Sequence, residues 1–153
     1  MGLDVTAYKN IEWLEYIDSE KDESGDYDLR IVIDDFRERA LDIKDGYYSY
    51  TDEYGFRAGS YGGYNNWRNE LAVLAGFESA KDAWSKDSGP FWELINFSDC
   101  EGTLGTLTCK KLLFDFKEFY SKAEKIGGWF FESYKQWTEG MELAAENGCF
   151  CFH

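Results

Sequence analysis

Aromatic side chains constrain this chain more than any other feature of it. Twelve phenylalanines, eleven tyrosines and six tryptophans make up 19% of its 153 residues. That much ring surface must be buried against itself or against a partner. A disordered acidic tail, which is poor in large apolar residues, is therefore excluded. A single proline and 15 glycines exclude collagen-like and low-complexity chains. The length suits one domain spanning residues 1–153. No stretch approaches the ~20 apolar residues of a bilayer span, so no membrane association is expected.

The aromatics fall into two periodicities. Leu3 to Tyr8 alternates apolar and polar, Leu29 to Ile33 is β-branched, and Tyr47 to Tyr50 with Phe56 suits a third strand or a hairpin. After Gly62-Gly63 the spacing turns helical: Tyr64, Trp67, Leu71, Leu74 and Ala75 share a face, with Ser60 as the cap and Gly76 as the stop. Residues 78–87 predict a short amphipathic turn, and Phe91 to Phe97 fits either a buried strand or one helical turn. Cys109, Leu112, Leu113, Phe116, Tyr120 and Ala123 form a second stripe, capped by Thr106 or Thr108 and broken at Gly127-Gly128. Phe130, Tyr134, Trp137, Met141 and Ala144 form a third, ended by Asn147-Gly148, and Cys149 to His153 suits a last short strand. The expected class is α+β: a small antiparallel sheet from the N-terminal half, packed against three or so helices from the C-terminal two thirds.

Charge sets the partners. Thirty acids against 16 bases give a net −14, and residues 1–54 hold 16 of the acids but only 6 of the bases. Such a surface repels phosphate backbones, so direct nucleic-acid binding is not expected, whereas docking onto a basic protein surface is. The acids concentrate at Glu12, Glu15, Asp18, Glu20, Asp22, Glu23, Asp26 and Asp28, relieved only by Lys21, which makes this run the expected protein-binding face. Tyr47, Tyr48, Tyr50 and Tyr54 follow it as candidate anchors.

Chemistry-bearing residues are few. The one histidine is His153, the last residue, where chains usually fray. No basic segment followed by an apolar core precedes the four cysteines, so reduced thiols are expected. Were the tail held as a strand, Cys149, Cys151 and His153 would share a face and, with Cys100 or Cys109, present four zinc-type ligands. Small buried cysteines are the default, and no metal or cofactor is expected. Arg57, Ser60, Tyr61, Tyr64, Asn65, Trp67 and Arg68 lie within twelve residues. A glycine-rich turn entering a helix, with two arginines and stackable rings, is the pattern of an anion or nucleotide clamp. The competing assignment puts Tyr64 and Trp67 in the core and pairs the arginines with carboxylates. Ser98-Asp99-Cys100-Glu101-Gly102 offers two carboxylates around a thiol, where Asp99 and Glu101 serve either an arginine or a turn.

Met1-Gly2-Leu3-Asp4, the run Phe56-Arg57-Ala58-Gly59-Ser60-Tyr61 with Gly63-Tyr64-Asn65 and Trp67-Arg68, and Phe97-Ser98-Asp99-Cys100-Glu101-Gly102 resemble a family of small phage and prophage proteins of unassigned function. The resemblance extends to the tryptophan-bearing last helix and the Phe152-His153 ending. It implies an accessory protein made in the bacterial host cytoplasm, of a kind that often antagonises host defence. Three functions follow in order. The first is a stoichiometric inhibitor that places its acidic face on a basic host protein. The second is a sponge that holds a nucleotide-derived signal between Arg57, Tyr61, Tyr64, Trp67 and Arg68. The weakest is a small hydrolase that uses Asp99, Cys100 and Glu101, with or without His153.

Overall fold

A computed structural model describes residues 1–15 and 28–153. Strand β1 (Gly2–Lys9) buries Leu3, Val5 and Ala7 on one face and turns Asp4, Thr6 and Tyr8 to the other, as its alternation requires. It pairs antiparallel with β5 (Asp52–Ser60) on one side and with β7 (Cys149–Phe152) on the other, and β6 (Gly102–Leu104) adds to β7. The order is β5-β1-β7-β6. A second sheet, β2-β4-β3, is built from Glu12–Glu15, Leu29–Ile31 and Gly46–Ser49, the last being the central strand β4. The α+β class is as the sequence implied. The main sheet, however, also draws β6 and β7 from the C-terminal third. Phe150 and Phe152 supply the apolar surface that seats the final strand in the sheet interior.

Six helices occur among the described residues: α1 (Tyr61–Ala75), α2 (Ala80–Trp84), α3 (Trp92–Ile95), α4 (Thr106–Glu118), α5 (Tyr120–Ile126) and α6 (Gly128–Ala144). Ser60 Oγ accepts the Gly63 N–H at 2.9 Å, and Gly76 ends α1 at φ 104°, where a Cβ would be strained. Within Phe91 to Phe97, Trp92–Ile95 forms one helical turn rather than a strand. The threonines expected to cap α4 are engaged elsewhere: Thr106 Oγ1 donates to the Gly148 carbonyl and Thr108 Oγ1 to that of Arg39. Asp42, 65 residues away in sequence, accepts the Leu107 N–H instead. The long stripe from Cys109 to Ala123 breaks at Phe119, which turns to pack on Phe91.

Helices cover one face of the main sheet. Tyr64 and Trp67 of α1 stack against Trp137 of α6, which stacks on Phe150 of β7, all four fully buried. The small sheet covers the opposite face. There Ile11, Leu29, Ile31, Ile43 and Tyr48 enclose Cys149, with Tyr8 and Cys151 at the margin. Strands β4 and β5 are thus no hairpin but belong to different sheets, joined where Tyr50 packs on Tyr8 at 4.8 Å. Among the described residues, twelve aromatic side chains are buried in the core and eight more, partly buried, pack against it.

Candidate functional site

Two segments singled out by sequence are locked together. Asn65 Nδ2 donates to Asp99 Oδ2 at 2.9 Å while its Oδ1 accepts from Arg68 Nη2 at 2.5 Å. Arg68 Nη1 reaches the Phe97 carbonyl at 2.5 Å, and the guanidinium lies 5.2 Å from the Tyr64 ring centre. Arg68 is only 5% exposed, and among the described residues it meets no carboxylate, because Asn65 stands between it and Asp99. Tyr64 and Trp67 are fully buried, and Trp67 Nε1 donates to the Phe130 carbonyl. They cannot stack a base at the surface. Burial also pushes the Tyr64 hydroxyl far above its usual range. Arg57 is about half exposed and pairs with Asp4 at 3.1 Å. Ser60 is occupied as a cap, Tyr61 and Glu101 are exposed, and the clamp expected between Arg57 and Arg68 does not form.

The polar face of the main sheet is better organised. Thr6, Cys151 and Thr103 lie side by side across β1, β7 and β6. His153 is pinned rather than frayed: its backbone exchanges two hydrogen bonds with Asp4, and its Nε2 lies 2.9 Å from Thr6 Oγ1. A cleft of about 680 Å³ opens over Thr103, Cys151 and His153. Its walls come from Leu29 to Phe36, which includes β3, and from Ser98, Cys100, Glu101 and Gly102, which lead into β6; both are edge strands among the described residues. The four cysteines do not converge. Cys109 is buried with its thiol directed at the Leu104 carbonyl, and Cys100 is exposed beside Ser98. Among the described residues no three His, Cys, Asp or Glu side chains are placed to hold a metal ion, so the four-ligand zinc arrangement is not formed.

A second hollow, of about 550 Å³, lies at the end of the small sheet. Ile11, Trp13, Leu41 and Leu107 line it together with Arg37 and Lys44. Trp13 is 39% exposed, Leu41 75% and Leu107 64%. Lys44 Nζ sits 3.5 Å from the Trp13 ring centre, and Trp13 Nε1 donates to the Asp45 carbonyl, so the ring is held in place. Asp42 ties Leu107 to the rim. Sequence reasoning missed this cluster, because its members lie about 95 residues apart; the one available signal was Trp13-Leu14 inside an acidic run. The tyrosines expected as anchors fail on burial: Tyr47 and Tyr48 are 1% and 4% exposed, and Tyr50 and Tyr54 are half-buried.

Of the acidic run, Glu12 and Asp28 are exposed, and Glu15 closes β2. Asp18, Glu20, Asp22, Glu23 and Asp26 lie outside the described residues. Asp34 and Asp35 extend the acidic surface along the cleft, exposed and in no ion pair among the described residues. Among those residues no helix is long and apolar enough to cross a membrane. Compared with family models, curated proteins and solved structures, the chain matches none, and the phage-family resemblance rests on its motifs alone.

Proposed function

We propose that this protein acts by binding, as a stoichiometric inhibitor made by a phage and directed at a basic surface of a bacterial host defence protein in the host cytoplasm. The observation that carries the proposal is the hollow of Trp13, Leu41 and Leu107, three exposed apolar side chains around one concavity. It lies at the small sheet, whose strands all come from residues 1–54, where 16 acids face 6 bases. A desolvated apolar centre inside a charged surround is how binding energy concentrates at interfaces, while the charge speeds and orients encounter. An apolar or aromatic side chain of the partner fills the hollow, and Lys or Arg residues elsewhere on the partner's surface meet Glu12, next to Trp13 in the chain, and Asp28, Asp34 and Asp35 toward the larger cleft. The nucleotide sponge loses ground, because Tyr64, Trp67 and Arg68 are buried. The hydrolase keeps one supporting observation: Cys100, Glu101 and His153 share the wall of the larger cleft.

The test is capture from bacterial lysate with wild-type protein and Leu41→Asp, followed by titration of the purified partner. Leu41 is 75% exposed, so the variant folds. The expected result is a partner that Leu41→Asp loses and that moderate salt releases. Capture indifferent to both the substitution and the salt overturns the proposal.

A further inference from the structure

Of the four cysteines, two are sealed and one is fully open. Cys109 and Cys149 are fully buried, and Cys100 stands at the surface with the Ser98 hydroxyl beside its sulfur, at 3.5 Å. Cys151 differs from all three. It is partly exposed, it lines the cleft of about 680 Å³, and two groups able to donate a hydrogen bond to its thiolate lie beside its sulfur: Cys149 Sγ and Thr103 Oγ1, each at 3.9 Å. Strand register enforces this arrangement. Cys149 and Cys151 are two apart on β7 and so share a face, and Thr103 is the cross-strand partner of Cys151 on β6.

We infer that Cys151 is a covalent modification site whose thiol exchanges with low-molecular-weight disulfides admitted through the cleft. Cys151 Sγ attacks one sulfur of R–S–S–R. The new S–S bond joins Cys151 to that sulfur as the old one breaks, and its electron pair leaves on the second sulfur, which takes up the proton given up by Cys151. Cys151 is thereby oxidised and one thiol, R–SH, is released, so the exchange balances without a further reactant. The cleft is roomy enough for a tripeptide-sized adduct, and its walls carry Arg30, Asp34, Asp35 and Glu101, which suits a disulfide bearing charges of both signs.

The ionisation of the thiols agrees with the geometry. The hydrogen bond from Cys149 holds the Cys151 thiol below its ordinary range, assisted by that from Thr103 and opposed by burial. The hydrogen bond that Cys149 shares with Cys151, together with burial, pushes the Cys149 thiol well above the ordinary range, and burial does the same to Cys109. A thiolate is the attacking species in exchange, so the partly open sulfur is also the reactive one.

The experiment uses the full chain carrying Cys100→Ser, incubated folded with glutathione disulfide near neutral pH, with adducts mapped by mass spectrometry against time. The expected result is a single adduct at Cys151, forming at least about tenfold faster than any at Cys109 or Cys149. Thr103→Val and Cys149→Ala each remove a donor and slow the adduct by about threefold to tenfold, whereas Cys149→Ser, which keeps a donor, restores most of the rate. Thr103→Val is nearly isosteric and carries the comparison should Cys149→Ala fold poorly. Uniform labelling of the three cysteines, or an unchanged adduct yield in Cys151→Ser, overturns the assignment. So does a Cys151 rate indifferent to Thr103→Val.

Discussion

Arg68 separates a ligand clamp from a structural strut, and Arg68→Met measures which it is. Methionine keeps most of the aliphatic length but removes the guanidinium. The Phe97 carbonyl and Asn65 Oδ1 each lose a donor at 2.5 Å. A buried acceptor left without its partner costs about 1–3 kcal/mol. Loss of the cation over the Tyr64 ring, 5.2 Å away, adds about 0.5–2 kcal/mol. Against this, a guanidinium only 5% exposed and facing no carboxylate carries a desolvation penalty that the substitution relieves in part. The balance is a net loss of about 3 kcal/mol, because the Phe97 carbonyl stays buried and Asn65 Oδ1 half-buried while only one charge is released. In a chain of this length that lowers Tm by about 6–12 °C. Urea titration followed by tryptophan fluorescence reads the loss directly. Arg57→Met is the control: its pair with Asp4 is about half exposed on both sides, and its removal shifts stability by under about 1 kcal/mol. Arg68→Met unfolding within about 0.5 kcal/mol of wild type would refute the strut and return Arg68 to the list of ligand contacts.

Tyr64 and Tyr134 make a matched pair, both fully buried. The Tyr64 hydroxyl finds no hydrogen-bond partner among the described residues, whereas that of Tyr134 donates to the Phe116 carbonyl at 2.6 Å. Tyr64→Phe should therefore be neutral or stabilising and Tyr134→Phe should cost about 1 kcal/mol, both by urea titration; the opposite order would contradict the hydrogen-bond assignment. Gly140→Ala ought to gain about 1 kcal/mol in helix propensity, yet a Cβ there would sit 2.6 Å from Phe150 Cε2, on a ring already stacked against Trp137. Overpacking of about 1–3 kcal/mol outweighs the gain, so thermal unfolding should occur at lower temperature, and a stabilised variant would show that Phe150 can move. Stability should also fall in alkali. Tyr64, Tyr134, Cys109 and Cys149 hold their protons above the ordinary range in the folded chain, so the unfolded chain releases them first. The loss begins near the unfolded thiol and phenol values of about 8.5 to 10, at up to about 1.4 kcal/mol per pH unit per group. Urea midpoints that stay flat from pH 8 to 11 would disprove it.

Much of this architecture was legible in the order of residues. Helices α1 and α6, the Gly76 stop of α1 and its Ser60 cap are local events, settled by side chains within four positions of one another, and periodicity reports them faithfully, although α6 is capped at Ala145 rather than at Asn147-Gly148. The α+β class followed from the same patterns, as did the extended tail at Cys149 to His153. What the spacing left open was partnership. Phe91 to Phe97 reads alike as strand or helix, and the Thr106 and Thr108 hydroxyls found carbonyls at Gly148 and Arg39 before the helix could use them.

Composition and periodicity alone determined that the chain is acidic, that its rings must be buried, and where most helices and strands lie. Only the folded packing decided which rings vanish into the core and which stay at the surface. It sank Tyr64, Trp67 and Arg68 among the helices that cover the main sheet and left Trp13, Leu41 and Leu107 around a hollow. It also placed Cys151 between Cys149 and Thr103 at the floor of a cleft. The physical reason is range. Propensity and capping act over a turn of chain, whereas burial and the company a side chain keeps depend on contacts between residues that the sequence holds far apart.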